Sequence, residues 1–292
     1  MAIQQKSKVG YSILFVLPTF ILFTVFIIMS IGFTLYYSMT RWNAVSSPVF
    51  IWFNNYIKMF NSMEYWRILS NTIITILVVI FIQIPCGLIF SFLIYRTKRG
   101  AKFFRTAYFL PVVIAPTVIG LMFSLFLNSD IGPLNIILAK VGLESLQMQW
   151  LSDSRIVLYS VIIPGVWQFI GFYVVIFLAA LYALPEEIFE SAVVDGANSF
   201  QIFFKIVIPM LRSIIGVAAI FGVTGSLKYF EQPYIMTWGG PGVRSTLLGL
   251  YVYKAAFGDM TFGYASTVAV VILFIAVMFT LVFKKISFEQ NF

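Results

Sequence analysis

The residues able to do chemistry in this chain are few, and they fall in two places. The densest polar run is Pro185-Glu186-Glu187, then Glu190-Ser191-Ala192-Val193-Val194-Asp195-Gly196-Ala197, followed by Ile206-Val207-Ile208-Pro209. Its residue types predict two short helices around a tight corner. Pro185 suits a first helical position, and Glu186 and Glu187 place negative charge on the positive end of a helix dipole. Asp195-Gly196 stops that helix, and Asn198 or Ser199 can cap the next. Glu190 offers a carboxylate to a basic partner, Ala192 permits close contact, and Gly196, without a Cβ, permits a sharp turn. The plainer reading is a solvated helical hairpin.

The second group consists of polar side chains set in apolar runs. Trp167 and Gln168 lie mid-run with Phe172 a turn on; Ser226, Lys228, Tyr229, Phe230, Glu231 and Gln232 follow another run; Thr117 adjoins Pro116. Gln168 supplies two donors and an acceptor, and Lys228 and Glu231, three apart, can share a helix face. Polar groups are costly in a bilayer and usually face a bundle interior or a water-filled cavity. Each also has a structural alternative: helix packing for Trp167, an ion pair near the outer surface for Lys228 and Glu231, and a bond back to its own helix for Thr117.

Several chemistries are excluded outright. The chain has no histidine and one cysteine, Cys86, so it has no histidine-based metal site, proton relay or catalytic triad, and no internal disulfide. A glycine-rich phosphate loop needs Gly-x4-Gly-Lys-Ser/Thr. The nearest stretch, Gly239-Gly240-Pro241-Gly242-Val243-Arg244-Ser245, lacks both the spacing and the lysine.

The elements that must position these residues are membrane helices. The chain is 61% hydrophobic and 10% charged, where ordinary globular chains carry about a quarter charged residues; its mean hydropathy is +0.97. A crossing helix needs about 20 apolar residues. Six runs qualify, at about 11–38, 72–95, 107–127, 156–182, 206–227 and 263–283. The expected fold is therefore an all-α membrane protein, a single domain over 1–292, with a loop at about 183–205 holding the polar corner. The first run is too long for a signal-peptide core and is read as retained. Pro18, Pro85, Pro111, Pro116 and Pro164 are candidate kinks.

Orientation follows from the basic residues. Lys6 and Lys8, the cluster Arg96, Lys98, Arg99, Lys102 and Arg105, then Lys205 and Arg212, then Lys284 and Lys285 share one side, eleven of the 19 Lys and Arg. The positive-inside rule puts that side, with both termini and the Glu190 corner, in the cytoplasm. The cluster reads as a topology anchor touching anionic lipid, and the net charge of +8 follows from the topology rather than from nucleic-acid binding. Two outer connections remain. One, about 39–70, is dense in Trp42, Trp52, Tyr56, Tyr65 and Trp66, fitting a headgroup belt or a docking surface. The other, about 128–155, has a turn at Gly132-Pro133 and a short surface helix.

The spacing Glu-small-Ala-x3-Gly-x9-Ile-x-Ile-Pro at Glu190 to Pro209 resembles the cytoplasmic coupling loop of ABC importer permeases. Ser191 stands where Ala is usual and Ile208 where Leu is usual. The resemblance covers nearly the whole chain. Gly100-Ala101-Lys102-Phe103-Phe104-Arg105 with Leu110-Pro111 is similar to the entry of the third span in sugar-type permeases. Thr237-Trp238-Gly239-Gly240-Pro241 with Thr246, Tyr253, Phe257 and Gly263-Tyr264-Ala265-Ser266 is similar to the segment joining the last two spans. The pattern is that of the binding-protein-dependent carbohydrate-uptake group, maltose and glycerol-phosphate type, and of the first of its two permease subunits.

That resemblance implies a type I importer permease of six spans in a bacterial inner membrane, with no catalytic site or cofactor of its own. Its implied partners are a second homologous permease subunit, two ATPase subunits carrying ATP and Mg, an extracytoplasmic solute-binding protein, and a sugar or oligosaccharide. Glu187, Glu190, Ser191, Ala192, Asp195, Gly196 and Ala197 would contact the ATPase. Thr117, Trp167, Gln168, Phe172, Ser226, Lys228, Tyr229, Glu231 and Gln232 would line the path, since these helix regions do so in the family. Aromatics mixed with amides and hydroxyls suit neutral sugars, while Lys228 and Arg244 would also tolerate an acidic sugar or a phosphate ester. An ion-coupled transporter would place carboxylates deep in its spans, where only Glu231 qualifies, and a membrane-embedded enzyme would need a nucleophile, base or metal set that is missing.

Overall fold

The computed structural model describes residues 15–97 and 99–288, with side chains to residue 285. Lys6, Lys8, Lys98 and the start of the first apolar run lie outside the described residues. The chain is almost wholly helical, and its contacts divide it into two compact units.

One unit comprises the described residues up to Asn61 together with Val252–Val271. It opens with α1 (Phe15–Ser38), predominantly apolar and with none of its membrane-length window buried. A two-residue hairpin follows, β1 (Thr40–Arg41) against β2 (Val49–Phe50), with Thr40 opposite Phe50, and then α2 (Asn54–Phe60). The connection is tied to its neighbours by polar bonds. The Asn55 amide donates to the carbonyls of Ser38 and Thr40 at 2.9 Å each, and Thr267 donates to that of Ser38 at 2.9 Å. Trp42 stacks on Tyr37 with ring centroids 4.1 Å apart, so at least this part of the aromatic set packs internally.

The other unit, Ser62–Tyr251 with the chain from Ile272 onward, holds the remaining spans. Here α3 (Met63–Arg96) begins nine residues before the apolar run at 72. Ser62 caps it by accepting from the Tyr65 amide at 3.3 Å, and Glu64 sits on the positive end of the dipole. Hydropathy alone misses this first stretch because Glu64, Arg67 and Asn71 interrupt it. A π-turn at Val79–Gln83 absorbs the register just ahead of Pro85, which has no N–H to donate.

The third apolar run does not form one helix. Instead α4 (Ala101–Val113) and α5 (Pro116–Phe126) meet at 92°. Pro116 is the reason: a residue before proline is pushed out of the helical region, and Ala115 has ψ 131 and Ile114 ψ 135. After α5 come α6 (Pro133–Lys140), the surface helix expected there, and then α7 (Val157–Tyr182). Asn135 knits the intervening loop, donating to the carbonyls of Ser129 and Met148 and accepting from the Trp150 indole at 2.8 Å.

The packing of this unit centres on α7. It lies along α3 and α4 and also meets α5, and Val161, Val174, Phe177 and Leu181 on it are fully buried. Beyond it lie α8 (Glu186–Val194), α9 (Ser199–Met210), α10 (Arg212–Leu227) and α11 (Glu231–Thr237). The fifth run, expected at 206–227, is thus divided at Leu211, two residues past Pro209, and the membrane-length helix begins at Arg212 and reaches Thr237. One core joins these elements: Leu88 and Phe92 of α3, Phe177 and Leu181 of α7, Ala192 of α8, Phe203 and Val207 of α9 and Ala218 of α10.

A long-range clasp closes the unit. The Asn71 amide of α3 donates to the carbonyls of Val243, Arg244 and Thr246 at 3.0 Å each. The adjacent Thr72 hydroxyl accepts from the Leu248 amide at 3.1 Å, at the start of α12 (Leu248–Tyr253). The last element is α13 (Phe262–Phe288).

Candidate functional site

The polar corner folds as its residue types require. Glu186 and Glu187 occupy the first turn of α8, which starts one residue after Pro185. Asp195 ends it, and Gly196 then takes φ +77, a left-handed conformation that a side chain disfavours by roughly 1–2 kcal/mol. The Gly196 amide donates to Val193 at 3.0 Å and the Ala197 amide to Ala192 at 2.9 Å, so the open carbonyls of the helix end are paired. Of the two candidate caps it is Asn198 that serves, in a reciprocal pair: its side chain accepts from the Gln201 amide at 2.9 Å while Gln201 accepts from the Asn198 amide at 2.8 Å. Ser199 does something else, accepting a hydrogen bond from the Arg96 guanidinium at the end of α3.

Sequence reasoning missed this bond, because Arg96 is one of a basic cluster and nothing in the spacing ties it to Ser199.

The corner has two faces. Glu187, Glu190, Ser191, Asp195 and Gly196 are exposed, and the Ser191 hydroxyl donates back to the Glu187 carbonyl at 2.7 Å. Val194 is 87% exposed and Phe200 69%, so an apolar surface lies open beside the acidic one. Ala192 and Ala197 point the other way. Ala192 is buried in the core with Leu181 and Phe203, and Ala197 packs against the same cluster. This corrects the expectation that Ala192 meets a partner: its small side chain lets α8 lie close on its own spans.

A cavity of about 490 Å³ opens between α3, α7 and α10. Of the expected path residues, Phe172, Ser226, Lys228, Tyr229 and Glu231 line it. Lys228 and Glu231 share its wall without pairing; the one ion pair among the described residues is Arg155 with Asp153 at 2.7 Å, in the loop before α7. There the Arg155 side chain and backbone N–H hold the Asp153 carboxyl down at about 2. Tyr229 reaches across to the Val161 carbonyl at 3.5 Å.

The structure places the other expected residues elsewhere. Gln168 is fully buried and donates to the Ile114 carbonyl at 2.8 Å, the group left open where α4 breaks from α5. It accepts in turn from the Gln232 amide at 3.3 Å, so both glutamines are struts between helices rather than cavity ligands. The Gln232 carbonyl oxygen has no hydrogen-bond partner among the described residues. Trp167 lies outside the lining with its ring 5.8 Å from Phe123, as in the packing alternative. Thr117 is exposed on α5, while its neighbour Pro116 reaches the cavity.

In their place the lining includes Thr75, Gln83, Phe169 and Thr224, which sequence reasoning did not single out. Gln83 had a signal, a lone amide beside Pro85 deep in an apolar run. It is buried and donates to the Val166 carbonyl at 2.9 Å, just past Pro164 in α7.

The chain matches the family described as "Binding-protein-dependent transport system inner membrane component" over residues 83–284. It is 34% identical to the probable ABC transporter permease protein YurN of Bacillus subtilis (strain 168), covering 97% of each chain. It is 26% identical to the trehalose/maltose transport system permease protein MalF of Thermococcus litoralis, covering 97% of this chain and 95% of that one. Its fold superposes with TM-score 0.83 and 22% identity on a chain in the crystal structure of a bacterial ABC transporter that imports the acidic polysaccharide alginate, covering 99% of this chain and 98% of the other.

Proposed function

From its membership of the binding-protein-dependent ABC permease family, we propose that this chain forms half of the translocation path of an ATP-driven importer for a sugar or oligosaccharide. A second permease supplies the other half, two separate ATPase subunits bind ATP and Mg, and an extracytoplasmic binding protein delivers the cargo. The absence of a phosphate loop here agrees with a borrowed motor. The sugar assignment draws on the trehalose/maltose relative and on the mixed amide, hydroxyl and aromatic lining of the cavity. Both termini and the α8–α9 corner face the cytoplasm in this reading.

The observation that carries it is the two-faced corner. Its exposed side, with Glu190, Val194 and Phe200, is open to an ATPase, and its buried side, with Ala192 and Phe203, sits in one core with α3, α7 and α10. Those three spans wall the cavity. A push on the outer face is therefore delivered to the helices around the cargo, through rigid packing and the Arg96–Ser199 bond. The test is purification of the assembly from native membranes with wild type, Glu190→Lys and Gly196→Leu, alongside ATP-dependent uptake. Wild type should bring down an ATPase and a second permease, and both variants should weaken the ATPase and abolish uptake while still inserting. A wild-type chain that comes out with no ATPase overturns the reading.

A further inference from the structure

A groove on the outside of α4 has no part in the corner or the cavity. It measures about 510 Å³ and is lined by Arg105, Thr106, Phe109, Leu110, Val113 and Val175. Five of these recur at helical spacing along α4, so the groove runs with the helix axis for about 12 Å. Its other wall exists because α4 and α7 come very close. A Cβ on Gly171 would strike the Tyr108 backbone carbonyl, and Val175 lies one turn further along α7. The chemistry is graded: a guanidinium and a hydroxyl at one end, then only apolar side chains.

The charge at that end is uncompensated. Arg99, Lys102 and Arg105 lie within two turns, and the sequence contains no acidic residue between Arg96 and Asp130. None of the three takes part in an ion pair among the described residues. The Thr106 hydroxyl commits its proton to the Lys102 carbonyl at 3.0 Å, so the Arg105 guanidinium is the donor at this end of the groove.

We propose that this groove is a specific site for one anionic phospholipid, with the phosphate on Arg105 and an acyl chain laid along Phe109, Leu110 and Val113. Arginine suits the head of such a site because its planar fork grips a phosphate with two parallel bonds. The site depends only on the chain lying in a bilayer, and so stands apart from the choice of cargo. The groove's helix, α4, ends at the break that Gln168 holds.

The test is native mass spectrometry of the full chain, with whatever subunits accompany it, reconstituted in bilayers of equal phosphatidylglycerol and phosphatidylethanolamine. Wild type should retain about one phosphatidylglycerol per chain, preferred about fivefold, the size of effect one basic residue has at a membrane surface. Arg105→Gln should remove the preference and Arg105→Lys should keep part of it. Leu110→Trp, which fills the groove but leaves every charge in place, should also remove it. Lys140→Gln, on α6, should match wild type. Retention by Leu110→Trp equal to wild type would reduce the effect to general attraction by the basic cluster and overturn the site. So would a Leu110→Trp variant that sheds a protein subunit while keeping its lipid, since the groove would then be a subunit interface.

Discussion

Two kinds of polar residue occur inside the spans, and they separate by what each side chain meets. Gln168 meets a carbonyl that the broken helix leaves open, whereas Lys228 and Glu231 meet an open cavity. Gln168→Leu should therefore destabilise the purified protein by about 1–3 kcal/mol, the usual range for orphaning a buried polar group, read as a lower thermal midpoint. Lys228→Gln and Glu231→Gln should leave that midpoint within a degree or two and instead change the concentration dependence of uptake. At the loop before α7, Asp153 has its carboxyl lowered from 3.8 to about 2 by Arg155. A depressed carboxylate stabilises the fold at pH above its unfolded value, and that contribution is lost as pH falls from about 4 towards 2. Asp153→Asn should flatten this part of a thermal-midpoint titration through a small lowering of the midpoint at pH 7 that vanishes towards pH 2, small because its partner Arg155 is exposed and the pair is screened by salt.

At the scale of elements, local turn chemistry was legible and helix continuity was not. Pro185, Gly196 and Asn198 dictate a helix stop and start through bonds within a few residues, and the structure makes those bonds. The break at Ala115 was hidden because hydropathy averages over some 20 residues, and a kink and a right-angle turn begin with the same proline. Gln168 reads from sequence as a path residue for the same reason, since the Ile114 carbonyl it meets is left open only once the span has broken. Sequence likewise cannot tell a small residue aimed at a partner from one aimed at the chain's own core, as Ala192 shows. The close approach of α4 and α7 yields a prediction at this scale. Gly171→Leu must push the Tyr108 backbone away, so the variant should insert but lose protection of α4 amides in hydrogen exchange.

Across the whole molecule, the cavity and the corner share walls without sharing residues. A change confined to the cavity should therefore leave docking intact. Thr224→Trp projects bulk into the 490 Å³ space and should cut uptake at least tenfold, while an ATPase still co-purifies at wild-type level. Gly196→Leu should instead lose the ATPase, and uptake with it, while the cavity is unchanged. Together the two variants distinguish a blocked path from a disconnected lever, and loss of the ATPase from Thr224→Trp would indicate that the two sites are one.

The clasp made by Asn71 and Thr72 also bears on how the protein is made. The groups they bind lie 172 to 176 residues further along the chain. During synthesis α3 reaches the bilayer long before Val243 to Leu248 leave the ribosome, carrying an amide whose eventual acceptors do not yet exist. Until then the insertion machinery or a water-filled vestibule has to shelter it. A message cut short before that point yields a protein with most of its spans and an unsatisfied amide among them, a mark by which membrane proteases can sort the unfinished from the complete.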